Sequence, residues 1–370
     1  MNINIKSIIP LSFIFLYSCQ PFYYGVSIDK PDLNIIPEEN LSDTVENWED
    51  GTRISGERGE YEWWYLDAMS ENGTIVVIYF WRVHFTAANH FIGYSITTPD
   101  GNSYFDIKYF KDKDASFEKD SCNVQYENNH FIGNLKNYSI KVDPFGKNLM
   151  GANLNLVSHS TPYRPKDGLI RMGDDYFAWL SAVPNGSVNG EIYFQNDTLK
   201  FLGHGYHDHN WSNAPFQQMM DSWYWARGTS GDLTYIGALL NIRRDRGNYK
   251  IPILMVSKNE ELLISEYGPN DLEFSIMEPY ISKEVKNNEY PNKVFILESK
   301  KSDVKLTFSS NNVIDETNLF DRGNVPFPIK SIFQLSTIDP TYTRFLTDTE
   351  LIMNENKFKG EGILEVMDLR

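Results

Sequence analysis

Two cysteines in 370 residues, Cys19 and Cys122, are too few for a disulfide framework and form no CxxC pair. Positive charge is scarce as well: 34 Lys and Arg face 50 Asp and Glu, for a formal net charge of −16. A surface of that sign repels phosphate backbones, which excludes nucleic acid as the expected partner. The chain carries no Gly-rich phosphate loop, HExxH or GxSxG, so the nucleotide, zinc-protease and serine-hydrolase signatures are missing. No cofactor is expected, and the expected ligand is a small apolar molecule. Helical periodicity is also rare, with Asn213 to Met220 the one brief candidate.

Aromatic residues are abundant: 22 Tyr, 23 Phe and 8 Trp, 14% of the chain, more than a helical bundle needs. They fall in short runs rich in β-branched residues. In the first half these are Tyr61 to Ala68, Thr74 to Phe85, Phe91 to Thr97, Tyr104 to Phe110, Asn123 to Tyr126, His130 to Val142 and Ala152 to Ser158. Turn signals such as Glu71-Asn72-Gly73, Pro99-Asp100-Gly101-Asn102 and Pro144-Phe145-Gly146 separate them. A second series begins at Trp223 to Arg227 and Leu233 to Arg244, includes Ile332 to Ser336, and ends at Phe358 to Leu369. Short strands at close spacing predict antiparallel meanders that close into barrels or sandwiches. The expected architecture is all-β, with domains over 56–215 and 216–370.

The N-terminus sets the expected compartment. One positive residue, Lys6, precedes the apolar run Ile8 to Leu16, which is too short to span a bilayer and suits a signal peptide over 1–18. Leu16-Tyr17-Ser18-Cys19 resembles a bacterial lipoprotein lipobox, with Tyr17 as a departure. Lipidation of Cys19 would hold the chain on a membrane of the bacterial cell envelope. Residues 19–55, rich in Pro, Asp, Glu and Asn, read as a tether. Cys122 then has no disulfide partner and reads as a small buried apolar group.

Chemistry concentrates in three places. Gly203-His204-Gly205-Tyr206-His207-Asp208-His209-Asn210-Trp211 holds three of the seven histidines. As a strand it points His207, His209 and Trp211 one way and His204, Tyr206, Asp208 and Asn210 the other. Buried polar groups of this kind form either a hydrogen-bond network or a reaction site. In Glu62-Trp63-Trp64-Tyr65, a carboxyl among large rings gains the raised pKa of a general acid, or else Glu62 pairs with Arg82 beside core tryptophans. In Trp223-Tyr224-Trp225-Ala226-Arg227, alternation sets two indoles beside a guanidinium, suited to stabilising a cation or to stacking at a domain junction. His204, His207 and His209 offer nitrogen to a metal, but no cysteine assists and a regular strand turns His204 away, so no metal is expected.

These motifs, in this order, with Pro184 to Gly190 before the second and Gly360-Glu361-Gly362 to Arg370 at the end, resemble the carotenoid 1,2-hydratase (hydroxyneurosporene synthase) and AttH family over most of the chain beyond residue 50. The resemblance implies two lipocalin-like antiparallel β-barrel domains packed together, with an apolar pocket at or between them. It also implies cofactor-independent addition of water to a double bond, as in some relatives. Carried over, the catalytic candidates are Asp208, Glu62, His207 and His209, and the ligand-binding candidates Trp64, Tyr65, Tyr206, Trp211, Trp225 and Arg227. The hydratase pattern further implies a tyrosine followed two residues later by a proton-donating aspartate. Here Tyr235-Ile236-Gly237 has glycine at that place, and Ser212 replaces a glycine after the His-Asn-Trp run.

The expected mechanism has Asp208 or Glu62 protonate an alkene, the indoles of Trp64, Trp211 and Trp225 offset the positive charge, and His207 or His209 orient water. Two other functions fit the residues: a lipid-anchored carrier of apolar molecules, and a surface lipoprotein whose tryptophans bind glycans.

Overall fold

The structure is a computed structural model and describes residues 41–42, 44–84, 88–281, 291–322 and 339–370. The signal peptide, Cys19 and the expected strand Ile332 to Ser336 lie outside the described residues.

Twelve strands form one antiparallel sheet: β1 (Tyr61–Ser70), β2 (Ile75–His84), β3 (Ala88–Thr97), β4 (Ser103–Phe110), β5 (Ala115–Phe117), β6 (Cys122–Tyr126), β7 (Asn129–Gly133), β8 (Asn137–Phe145), β9 (Met150–Ser158), β10 (Leu169–Met172), β11 (Asp175–Phe194) and β12 (Asp197–Ser212). Their order is β4-β3-β2-β1-β12-β11-β9-β8-β7-β6-β5, with β10 beside β11. The sheet curls into a nearly closed barrel. Tyr126 of β6 donates its hydroxyl to the Trp81 carbonyl of β2 at 2.8 Å, and Tyr94 of β3 reaches the Gly151 carbonyl of β9 at 3.1 Å.

Nine strands form the second sheet, a half-barrel: β13 (Met220–Ser230), β14 (Leu233–Ile242), β15 (Lys250–Lys258), β16 (Glu261–Tyr267), β17 (Leu272–Pro279), β18 (Asn292–Ser299), β19 (Val304–Asn318), β20 (Thr341–Met353) and β21 (Asn356–Asp368). The order is β16-β15-β14-β13-β21-β20-β19-β18-β17. Both sheets are antiparallel and lipocalin-like, the all-β architecture expected from the sequence. The chain passes from one sheet to the other between Ser212 and Met220.

Three apolar clusters organise the molecule. One, around Trp64, Phe80, Tyr126 and Phe131, fills the first barrel. Another, around Tyr235, Phe295 and Phe308, fills the second sheet's concave side. The third lies between the sheets and takes Tyr61, Trp63, Tyr65 and Tyr206 from one and Trp225, Ile236, Ala238 and Leu240 from the other. β1 is therefore buried on both faces: every residue but Met69 is buried, even though its side chains alternate direction.

Several expectations are corrected. The tether does not extend to residue 55. The chain at Asn47–Asp50 makes a 3-10 turn, and Glu49, Asp50, Thr52 and Ile54 are buried against the barrel. Buried polar side chains need partners, and these find them: Glu49 pairs with Arg164 at 2.5 Å and Thr52 donates to Glu62 at 2.6 Å. Asn213 to Met220 forms only a three-residue 3-10 turn, Phe216–Gln218, because Phe216 packs onto Tyr61, Trp63 and Trp223. The run His130 to Val142 splits into β7 and β8 at a turn where Leu135 takes φ +65°. The twenty-residue β11 was not visible as one strand, because bulges break its register between Leu180 and Gly186.

The docked N-terminal segment has little slack. A Cβ on Gly51 would stand 2.2 Å from the Lys119 carbonyl oxygen, and the next amide, of Thr52, donates to the Glu118 carbonyl at 2.7 Å. Gly51→Ala is expected to destabilise the protein by about 1–3 kcal/mol in chemical denaturation and to expose residues 41–55 to proteolysis. Unchanged stability and protection would mean that this segment is not seated as described.

Candidate active site

β1 and β12 pair in register, with Tyr65 opposite Asp208 and Leu66 opposite His207. Strand alternation then divides the sequence candidates between two places. Glu62, Trp64, His207, His209 and Trp211 point into the first barrel, whereas Tyr65, Tyr206 and Asp208 point toward the second sheet and meet Trp225 and Arg227. The single pocket expected to gather all of these residues is not what the geometry provides.

Inside the barrel the polar groups around Glu62 satisfy one another. Glu62 accepts from the Thr52 hydroxyl and the Arg53 amide, lies 3.0 Å from His209 Nε2, and pairs with Arg82 at 3.7 Å. His209 stacks on Trp64 at 4.6 Å and packs against Trp211 at 4.8 Å. The barrel core packs around these side chains, and Glu62, His207 and His209 are fully buried. Glu62 lines neither of the two cavities described for this chain.

Between the sheets lies an apolar cavity of about 120 Å³. Trp63 and Phe177 of the first sheet, Phe216 of the connecting turn and Met220, Trp223, Trp225 and Leu240 of the second sheet form its greasy wall. Asp208, Asn210 and Glu365 give it polar groups, with Tyr65, Tyr79 and Tyr342 nearby in the lining. Arg227 stands outside the lining and forms a clamp instead. Asp67 Oδ2 takes Arg227 Nη2 at 2.8 Å and Arg344 Nη2 at 2.5 Å, so one carboxylate of the first sheet holds two cations of the second. Burial alone would raise the Asp67 pKa, but the two guanidiniums together keep it below the usual carboxylate value.

Asp208 has the opposite environment. Burial pushes its pKa up to about 7, and hydrogen bonds from Tyr206 and Asn210 offset only part of that rise. Tyr206 donates to Oδ2 at 2.9 Å and Asn210 Nδ2 donates to Oδ1 at 2.6 Å. Trp179 Nε1 donates to the Tyr206 oxygen at 3.2 Å, which commits the phenolic proton to Asp208. Glu365 is raised by burial as well, but Arg344 Nε at 3.4 Å draws it back toward the ionised form. Two carboxyls thus share one cavity, Glu365 beside a guanidinium and Asp208 beside neutral donors, the arrangement that separates an acid from a base. The indole Nε1 of Trp225 is buried without a hydrogen-bond partner among the described residues, leaving a donor for an oxygen in the cavity.

Sequence reasoning did not single out Glu365, Trp179 or Tyr79. The signal for Glu365 was a lone carboxylate inside Ile363-Leu364-Glu365-Val366. An aspartate at the position of Gly237 would not face the cavity. A Cβ would stand 2.7 Å from Leu297 Cδ1 and 3.3 Å from Phe308 Cε2, in the core of the second sheet rather than in the cavity.

A Diels-Alderase-like family model matches residues 149–266. The hydroxyneurosporene dehydrogenase of Chlorobaculum tepidum is 28% identical over 218 residues, covering 48% of this chain and 56% of that protein. The quinolone epoxide rearrangement protein asqO of Emericella nidulans is 27% identical over 190 residues, covering 46% of this chain and 51% of that protein. The chain therefore spans about half the length of the curated relatives it matches. The crystal structure of a putative AttH from Nitrosomonas europaea superposes with a TM-score of 0.63 at 14% identity, covering 91% of this chain and all of that one, which establishes a shared fold.

The desolvated carboxyl sets a pH dependence of stability. Its folded pKa, about 7, lies above the ordinary value of 3.8, so the native state holds this proton more tightly than the unfolded state. The resulting stabilisation is complete below pH 3.8 and is lost as pH rises to 7. Asp208→Asn, which cannot ionise, is expected to gain thermal stability relative to wild type by a few degrees between about pH 4 and 7, then hold that gain. A pH-independent difference in melting temperature would show that Asp208 is not desolvated.

Proposed function

With the chain placed in the carotenoid 1,2-hydratase and AttH family, we propose that it is a cofactor-independent acid–base enzyme whose inter-sheet cavity hydrates or isomerises a carbon–carbon double bond in a terpenoid or lipid-like molecule. The observation that carries this reading is a carboxyl with a pKa of about 7 set in a tryptophan-lined cavity. A general acid works best when its pKa lies near the working pH.

Protonated Asp208 gives its proton to one alkene carbon, and the π electron pair becomes the new C–H bond. The adjacent carbon is left cationic beside the rings of Trp63, Trp223 and Trp225, which stabilise it by about 0.5–2 kcal/mol each when desolvated. The Glu365 carboxylate then removes a proton from a neighbouring carbon, which completes an isomerisation. Alternatively it takes a proton from water as the water oxygen bonds to the cation, which completes a hydration. Proton transfer from Glu365 back to Asp208 through solvent resets the site. Trp225 Nε1 orients any oxygen the substrate carries. His207 and His209 take no part in this scheme, since both lie on the barrel side of β12.

Cavity size restricts the substrate. A closed cavity of about 150 Å³ holds benzene; this one, about 120 Å³ and partly open, suits the end of a longer molecule whose remainder lies outside it. Its lining is apolar but for one carboxyl-bearing end, which suits a compact hydrocarbon body with its reactive bond at that end.

At the cell envelope, lipidated Cys19 anchors the protein and gives the cavity access to membrane-dissolved substrates; the sequence Leu16-Tyr17-Ser18-Cys19 supports this. Cys19→Ser is expected to move the protein from the membrane fraction to the soluble fraction, and unchanged fractionation would remove the anchor.

The test of catalysis is incubation with a panel of terpenoid alkenes in heavy water. Deuterium is expected to enter the substrate, with kcat/KM falling roughly tenfold per pH unit above about 7 and 10²–10⁴-fold in Asp208→Asn. Alkenes that bind the cavity yet never exchange, together with an apolar molecule that leaves the purified protein unchanged, would replace the enzyme with a carrier.

A further inference from the structure

We propose that Asp50, Cys122 and His207 bind one transition-metal ion of the Zn²⁺ class inside the first barrel, on the face of β12 turned away from the cavity. Ligand atoms of these three side chains lie within 4.8 Å of one another, and all three residues are buried. They come from far apart in the chain: the docked N-terminal turn, the start of β6 and the middle of β12. Carboxylate, thiolate and imidazole together make a mixed donor set suited to zinc.

The arrangement of His207 is that of a metal ligand. Its Nδ1 lies 2.9 Å from the Tyr65 carbonyl, an acceptor only, so Nδ1 carries the hydrogen. Its Nε2 is thereby turned toward Asp50 Oδ2 at 3.2 Å, where either a proton or a metal ion must stand between the two atoms. Metal-binding histidines are commonly fixed in this way by a backbone carbonyl on the other nitrogen. Asp50, a residue 1% exposed, turns its other oxygen toward His209 Nδ1 at 3.7 Å and toward the Cys122 thiol, so its carboxylate is shared by weak donors that a metal ion would replace. One carboxylate oxygen, Sγ and Nε2 thus supply three donor atoms within 4.8 Å of one another. Tyr138, whose hydroxyl donates to Asp50 Oδ2 at 2.6 Å, orients that carboxylate from outside.

Charge supports the same reading. Asp50 pairs with His207 and His209 and with no Arg or Lys among the described ion pairs. A divalent ion bound by the Asp50 carboxylate and the Cys122 thiolate leaves the site neutral. Binding transfers the thiol proton to solvent as the metal–sulfur bond forms. Because Asp50 arrives on the docked segment, metal capture completes as that segment seats.

The experiment uses the mature full-length protein, purified without chelator for elemental analysis, then stripped with EDTA and titrated with Co²⁺. About one zinc per chain and a sulfur-to-cobalt charge-transfer band are expected. The band should disappear in Cys122→Ser, checked by circular dichroism for folding, and change in Asp50→Asn. X-ray absorption of the wild-type metalloprotein should show one sulfur in the first shell, which holds even if the variants fail to fold. Absence of a Co²⁺ band in wild type, the same band in folded Cys122→Ser, or a first shell without sulfur would each overturn the site.

Discussion

The antiparallel pairing of β1 with β12 is the constraint on which the rest of the molecule depends. Its register sets Tyr65 across from Asp208 and sends alternate side chains to opposite faces of one ribbon. Because both faces are covered, the ribbon divides two environments: a filled barrel rich in paired charge, and a partly open seam between sheets. A shift of β12 by one residue would exchange Asp208 for His207 or His209 in the seam, and the same shift of β1 would carry Trp64 out of the barrel.

The seam acquires its chemistry from unequal compensation of buried charge. Asp67 has two guanidiniums and stays ionised, Glu365 shares one of them, and Asp208 has only neutral donors at its oxygens. Desolvation acts on all three carboxyls in the same direction. The number of arginines within reach decides which of them keeps its proton.

The strand alternation that separates His207, His209 and Trp211 from Tyr206, Asp208 and Asn210 was legible in the sequence, as was the all-β character. The destination of each face was not. In a strand exposed on one side, hydrophobic residues mark the inside, but β1 is buried on both sides and its pattern carries no such mark. Partners far away in the chain were hidden for a related reason. Asp50 lies 157 residues from His207, and its stretch has the Asp and Glu content of a linker, so composition concealed a packed turn. Glu365 stands 300 residues from Tyr65 and reaches the seam only because β21 pairs with β13. Cys122, read as a small apolar group, is indeed buried, but among ligand-type neighbours that no local spacing displayed.

Each sheet has an apolar core of its own, and the seam draws on neither. Side chains facing the seam can therefore be exchanged without excavating the material that keeps either half folded. Such a body suits diversification: descendants can trade one reaction for another by redecorating a shared wall, while the two scaffolds behind it remain sound.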